Sequence, residues 1–306
     1  MWTLLAFVSA VCLGGYDISK KIALRQNAVV DVLTISIWVS ALILMVPLVL
    51  SRWIPETMGG TPFYVPEMDI EGHLFTLLKS SIVLSSWIFA YVSLKHLPLS
   101  VVSPMQATRP MWTLIGALVL FDERLNGWQW VGVMLAIGSI FAFSFKGYRR
   151  NQRKEENANQ ENKPYYICLA LAIVIGACSG LYDKYMMRRY DHNAVQVYYT
   201  LYQALMMAVV WVIMRRKELK AHRLPAVQWT PAIVLISIFL VISDNVYMLA
   251  LRDPESMIAV VSTIRRGGAI IGFGYGLVWL KEGDVWPKLA CMAGVLAGLV
   301  CLAIGS

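Results

Sequence analysis

Ten runs of apolar residues, each roughly 17 to 24 long, follow one another along this chain, and each can cross a bilayer core of about 30 Å as a helix. They fall near 2–19, 32–50, 74–94, 99–120, 128–145, 165–183, 195–214, 229–250, 256–280 and 287–304. Backbone in lipid must satisfy its own hydrogen bonds, so runs of this length span as helices. With 58% hydrophobic and only 15% charged residues, the helices lack the polar faces that a water-soluble bundle presents. The expected fold is an all-α integral membrane protein with ten transmembrane helices.

The chain also repeats itself. Displaced by 166 positions, Cys12, Gly14, Tyr16, Asp17, Asn27, Ala28, Val29 and Thr34 recur as Cys178, Gly180, Tyr182, Asp183, Asn193, Ala194, Val195 and Thr200. Small residues at Ala6, Ala10 and Gly14 return as Ala172, Gly176 and Gly180, a spacing that lets helices pack closely in lipid. Displaced by 156, Tyr91, Pro98, Ser100 and Arg109 meet Tyr247, Pro254, Ser256 and Arg265. Glycines 268, 272 and 276, and Ala290 with Gly294 and Gly298, form two further small-residue stripes. Each copy holds five helices. Because five is odd, the second copy enters the membrane in the opposite sense, the inverted-repeat plan of secondary transporters. Three regions are therefore expected: a first repeat over 1–145, a polar linker over 146–163 and a second repeat over 164–306.

The segment 51–73 has four acids, one arginine and several Pro and Gly residues, so it reads as an acidic surface loop. The linker mixes basic and acidic residues and reads as a solvated connector rather than a nucleic-acid tail. The net charge of +8 follows membrane orientation. The first run lacks a basic leader and has a partner at 165–183, so a spanning helix is expected there and not a cleaved signal. Five cysteines lie in apolar helices without a CxxC pair, so neither a metal nor a cofactor is expected. No Asn-x-Ser/Thr acceptor occurs, which suits a bacterial inner membrane, the location expected.

Ionisable residues inside spanning helices face a cavity or a partner. Arg109 and Arg265 each stand roughly 15 Å into their helices, near the midplane. Inversion can bring them face to face, where two guanidinium groups would hold a carboxylate or phosphate. The alternative is neutralisation by an internal acid such as Asp244. Arg266 points about 100° away from Arg265, and the sequence leaves open which of the two faces the cavity. Asp17 and Asp183 stand roughly 24–27 Å along their helices, as gates or proton sites on opposite faces, or as helix-end partners. Asp17 has Lys21 four positions on, whereas Asp183 has Met187. Asp244 lies deeper, in a Ser-Asp-Asn triplet, as a candidate proton-coupling or ammonium site. Gln106, Trp87, Asn245, Tyr16 and Tyr182 complete the candidate binding set, the aromatics also being readable as packing or interfacial anchors.

The stretch "ATRPMWTLIGALVLFDERLNGWQWVGVMLAIGSI" resembles the drug/metabolite transporter superfamily, EamA type. The likeness rests on Pro110 midway along the fourth helix, Glu123 closing it, and Gly132 and Gly138 in the next. "CLGGYDISKKIAL" is similar to the family's first helix, with Leu13 in place of the usual tryptophan. The resemblance implies a ten-helix carrier whose cavity is lined mainly by helices one, three, four, six, eight and nine. Loops after odd-numbered helices carry 17 Lys and Arg against 6 after even-numbered ones. The positive-inside rule then puts the linker in the cytoplasm, whereas the resemblance implies cytoplasmic termini.

The function expected is secondary transport, with export the commoner role, of small polar metabolites, anionic or zwitterionic, by alternating access. The partners are a small-molecule substrate, the lipid bilayer and a coupling proton or counter-substrate, with no nucleic acid; monomer and homodimer are both open. A proton-coupled exporter of cationic or lipophilic drugs, using the membrane aspartates, is the first alternative. A membrane-embedded enzyme is the second, although no HExxH, GxSxG or paired-acid signature occurs. A passive channel is a third. No phosphate-binding GxxxxGK[ST] loop occurs that would support direct ATP drive.

Overall fold

A computed structural model describes residues 1–23, 27–96, 109–122, 124–152, 163–216, 227–268, 271 and 285–305. Among them are eleven helices and no strand: α1 (Trp2–Ala23), α2 (Val29–Trp53), α3 (Pro55–Met58), α4 (Ile70–His96), α5 (Arg109–Leu120), α6 (Gly127–Gln152), α7 (Lys163–Met187), α8 (His192–Met214), α9 (Pro231–Arg252), α10 (Ile258–Arg266) and α11 (Val285–Gly305). Six of them, α1, α2, α4, α7, α8 and α9, are long and apolar enough to cross a membrane. Shorter apolar stretches lie at Met111–Leu120 in α5 and Ala293–Leu302 in α11. Residues 97–108 and 272–284, where the fourth expected span begins and the ninth ends, lie outside the described residues.

Two boundaries differ from the sequence expectation. Helix α6 runs on to Gln152, into the stretch read as linker, and Arg149 and Arg150 stand in its last turn. The acidic loop is also shorter than 51–73: α2 reaches Trp53, α3 fills 55–58 and α4 begins at Ile70. Val65 N–H donates to Ser51 Oγ at 3.0 Å, folding what remains of the loop back onto the end of α2.

Helices pack in corresponding pairs. α1 lies along α9 and α4 along α7; α2 meets α8, and α6 meets α11. α4 also touches α8 as α2 touches α9, and α5 touches α7 as α1 touches α10. The duplicated residues make corresponding bonds. Thr34 Oγ1 donates to Val30 O and Thr200 Oγ1 to Gln196 O, each at 2.8 Å. Asn27 Nδ2 donates to Gln228 O, just before α9, at 2.9 Å, and Asn193 Nδ2 to Pro62 O, before α4, at 2.8 Å.

These bonds sort the helix ends onto two faces. One face gathers the end of α1, the start of α2, the end of α8 and the start of α9. There Asp31 holds Arg215, with Arg215 Nε at 3.2 Å and Trp211 Nε1 at 2.9 Å from Oδ1. This is the linker side. The other face gathers the ends of α2, α7 and α9 with the start of α8, tied by Arg52 to Tyr198 OH at 3.1 Å and Arg252 to Asp191 at 3.1 Å. Gly305 O accepts from Asn126 Nδ2 on that same face, the terminal side.

Lipid offers no hydrophobic gain for helix association, so close backbone approach decides the seams. In the α6–α11 seam, a methyl on Gly132 would fall 2.7 Å from Gly298 O, and one on Gly298 would fall 2.7 Å from Gly132 O. In the α1–α10 seam, a methyl on Gly14 would fall 2.8 Å from Gly268 O. One on Gly268 would collide with Ala10 O. The i+4 ladder of α10 tightens here: Gly267 N–H donates to Ile264 O at 2.8 Å and Gly268 N–H to Arg265 O at 3.3 Å.

Gly132→Ala is therefore expected to destabilise the protein by about 1–3 kcal/mol through overpacking, read as a fall in melting temperature in detergent. Gly138, exposed on the same helix with open space around its Cα, should tolerate alanine and gain up to about 1 kcal/mol of helix propensity. Asp191 caps α8 by accepting from Asn193 and Ala194 N–H. Burial alone would raise its pKa, but bonds from His192 and those two amides outweigh it and hold the pKa below the ordinary 3.8. A lowered carboxylate pKa stabilises the fold above 3.8, and the gain is lost as pH falls through the folded-state value. The melting-temperature gap between wild type and Asp191→Asn should therefore narrow as pH drops below that range.

Candidate functional site

A cavity of about 430 Å³ lies between α1, α4, α5, α7, α8, α9 and α10. Among the described residues, seven charged side chains line it: Asp17, Lys20, Lys79, Arg109, Asp183, Asp244 and Arg265. The lining also includes Tyr16, Trp87, Tyr199 and Tyr247. Among the seven charges, four positive groups stand against three negative ones. Charges are tolerable at such depth only where they are paired or wet.

Two ion pairs account for four of these charges. Lys79 of α4 bonds Asp183 of α7, and both are buried. The lysine Nζ also stands 4.5 Å from the centroid of the Tyr199 ring, a cation–π contact. Lys79 is nine residues from the start of α4, and Asp183 is four from the end of α7. The pair therefore lies towards the terminal side of the cavity. The second pair joins Arg265 of α10 to Asp244 of α9. Arg265 Nη2 also reaches Ser243 Oγ at 3.3 Å, and its Cζ lies 4.1 Å over the Tyr247 ring. Ser243 is in turn bonded across to α1, its Oγ donating to Ser9 O at 3.0 Å.

Arg109, the first residue of α5, lines the cavity and donates to Gly176 O of α7. A methyl on that glycine would fall 2.5 Å from Arg109 Cζ, so the guanidinium would have to shift. Towards the linker side the lining continues through Tyr16, Asp17 and Lys20 on the last turns of α1. Asp17 is exposed, and Lys20 Nζ stands 5.5 Å from the Tyr16 ring centroid.

Of the residues singled out from sequence, Arg109, Arg265, Trp87, Tyr16, Asp17, Asp183 and Asp244 all line this one cavity. Asn245 and Tyr182 are outside the lining. Asn245 Nδ2 donates to Gln196 Oε1 at 2.7 Å and Asn193 Oδ1 at 3.0 Å, joining α9 to α8. Tyr182 donates to Phe75 O at 3.2 Å and stacks on Tyr185. Gln106, Glu123 and the side chain of Arg266 lie outside the described residues. The two arginines bond different partners: Arg265 the internal acid weighed above, Asp244, and Arg109 the carbonyl of Gly176. Sequence reasoning passed over Lys79, although a lysine nine residues into an apolar helix carries the same signal as Arg109. Among the described residues no group of three His, Cys, Asp or Glu could hold a metal ion.

Removing one partner of the Lys79–Asp183 pair strands the other in a buried site. Lys79→Met should cost about 3–5 kcal/mol, read as a large fall in melting temperature or folded yield. The double variant Lys79→Met/Asp183→Asn should recover most of that loss, and a double-mutant cycle measures the coupling.

In sequence, residues 1–145 match the EamA-like transporter family. No curated protein matches the chain. One solved structure, described only as the crystal structure of a protein, is similar with a TM-score of 0.74 at 12% identity. The likeness covers 99% of this chain and 96% of the other and speaks to the fold alone. Apolar helices of spanning length make the chain a multi-pass integral membrane protein. The match of residues 1–145 is to a family of membrane transporters and supports membership of the drug/metabolite transporter superfamily.

Proposed function

We propose that this protein is an alternating-access secondary carrier of a small zwitterionic or anionic metabolite. The observation that carries the reading is one polar cavity of about 430 Å³ lined by charges of both signs. That volume is within the range of sites for small solutes, about 300–1,000 Å³. A zwitterion brings a carboxylate for Arg109 or Arg265 and an ammonium for an aspartate, so it can satisfy the lining without leaving a charge bare.

The carrier consists of ten spans in two inverted five-helix repeats, and the cavity lies where they meet. Paired helix contacts and the matching Thr34/Thr200 and Asn27/Asn193 bonds on opposite faces support this plan. The Lys79–Asp183 pair is the closed gate on the terminal side, and Asp17 stands at the mouth on the linker side. Exchange of the two states opens the first and closes the second. Since splitting a buried pair is costly, opening brings water or substrate to Lys79 and Asp183 as they part.

Counterflow in proteoliposomes tests the reading. A labelled amino acid or small organic acid should exchange saturably, which a passive channel would not do. Arg109→Gln keeps an amide donor for Gly176 O but loses the charge. A charge-assisted hydrogen bond contributes about 1.5–3 kcal/mol, so exchange should fall roughly 10- to 100-fold with folded yield intact. Normal exchange by Arg109→Gln contradicts the anion site, and exchange of lipophilic cations alone would assign the cavity to the aspartates.

A further inference from the structure

Beside Asp244 lies a second polar space, of about 10 Å³, enough for one water-sized atom. Asp244, Tyr199 and Leu240 line both this space and the main cavity. Ser40 of α2 and Gln196, Thr200 and Gln203 of α8 also line the smaller one. Three of these four have partners. Ser40 donates to Ser36 O at 2.9 Å, Thr200 to Gln196 O at 2.8 Å, and the Gln196 amide bonds Val241 O at 2.7 Å and Asn245. Gln203 differs: it is 3% exposed, and its Nε2, beside the Tyr199 hydroxyl, closes no hydrogen bond of good geometry among the described residues.

The other neighbour of Asp244 also holds a spare donor. Arg265 gives Nη2 to Asp244 Oδ1 and Ser243 Oγ, but its buried Nε has no acceptor among the described residues. A guanidinium holds a carboxylate best by two parallel bonds. Asp244, tethered to α9, engages one nitrogen only. Buried donors without acceptors are uncommon and costly to maintain. Here the two belong to residues on either side of Asp244: Arg265, which lines the cavity, and Gln203, which lines the smaller space.

We propose that Asp244 is a place-holder that a substrate carboxylate displaces from Arg265. The incoming carboxylate, free of any tether, takes Nε and Nη2 together. Asp244 turns into the smaller space and places one oxygen, the size of the water it admits, against Gln203 Nε2. Both spare donors are then used, and neither carboxylate is left bare. The inference rests on the carrier reading above and narrows it: the substrate carries a carboxylate, which Asp244 mimics in the empty protein.

Thermal shift of the purified full-length protein in detergent tests this, with acetate, L-lactate and L-alanine each set against its amide. Carboxylates should raise the melting temperature and the amides should not. In Asp244→Asn the competitor for Arg265 is weakened, so the half-saturating carboxylate concentration should fall about tenfold or more. In Gln203→Leu the displaced aspartate has no receiver, and that concentration should rise several-fold. The double variant should match Asp244→Asn, because there is no longer a charge to receive. Unchanged or weaker carboxylate binding in Asp244→Asn, additive effects in the double variant, or no carboxylate response in any form overturns the place-holder. If wild-type counterflow of an amino acid or organic acid persists alongside such a result, the place-holder fails and the carrier reading stands.

Discussion

A charge inside the hydrocarbon must bring its own counter-charge, and the helix arrangement around the cavity follows from that requirement. Lys79 and Asp183 tie α4 to α7, and Arg265 and Asp244 tie α10 to α9. Each tie spans two helices that the α-helical ladder alone would leave independent. An ion pair of this kind is not a large net source of stability. Its effect is selective: arrangements that separate the partners are excluded, so the pairs specify which helices face the cavity. The same pairs are what a charged solute can exchange with, which links the packing requirement to transport.

Glycine seams supply the second constraint. With no hydrophobic gain available between helices in lipid, α6 and α11 approach until Gly132 and Gly298 lie against each other's carbonyls. Gly14, Gly268 and Ala10 do the same for α1 and α10. The second seam adjoins Arg265, three residues before Gly268. Bulk added there would move the guanidinium as well as the helix.

Much of the architecture was legible in the sequence because lipid makes the code simple. Apolar run length marked the six helices long and apolar enough to span, and the echo of Cys12–Thr34 at Cys178–Thr200 marked residues that make corresponding bonds. Depth along a helix marked Arg109, Arg265 and the three aspartates, all of which line one cavity. Partner choice was not legible, because it depends on helix rotation and on which helices adjoin. Lys79 and Asp183 are 104 residues apart, and no repeat relation connects them: displaced by 156, Lys79 falls on Leu235. Asn245 and Tyr182 are polar or aromatic residues near the cavity charges in sequence, yet their bonds to Gln196 and Phe75 turn them to other interfaces. Aspartates at the same repeat position also part ways: Asp183 is buried against a lysine, whereas Asp17 is exposed at the cavity mouth.

The central claim, one cavity that opens to each side in turn, is tested most directly by the reactivity of a single cysteine at Val83, within the lining. The five native cysteines are first replaced, and a membrane-impermeant maleimide is applied to vesicles of each orientation. Alternating access predicts labelling from both sides, with saturating transported substrate shifting the ratio between them. Labelling from one side only, unchanged by substrate, would contradict it.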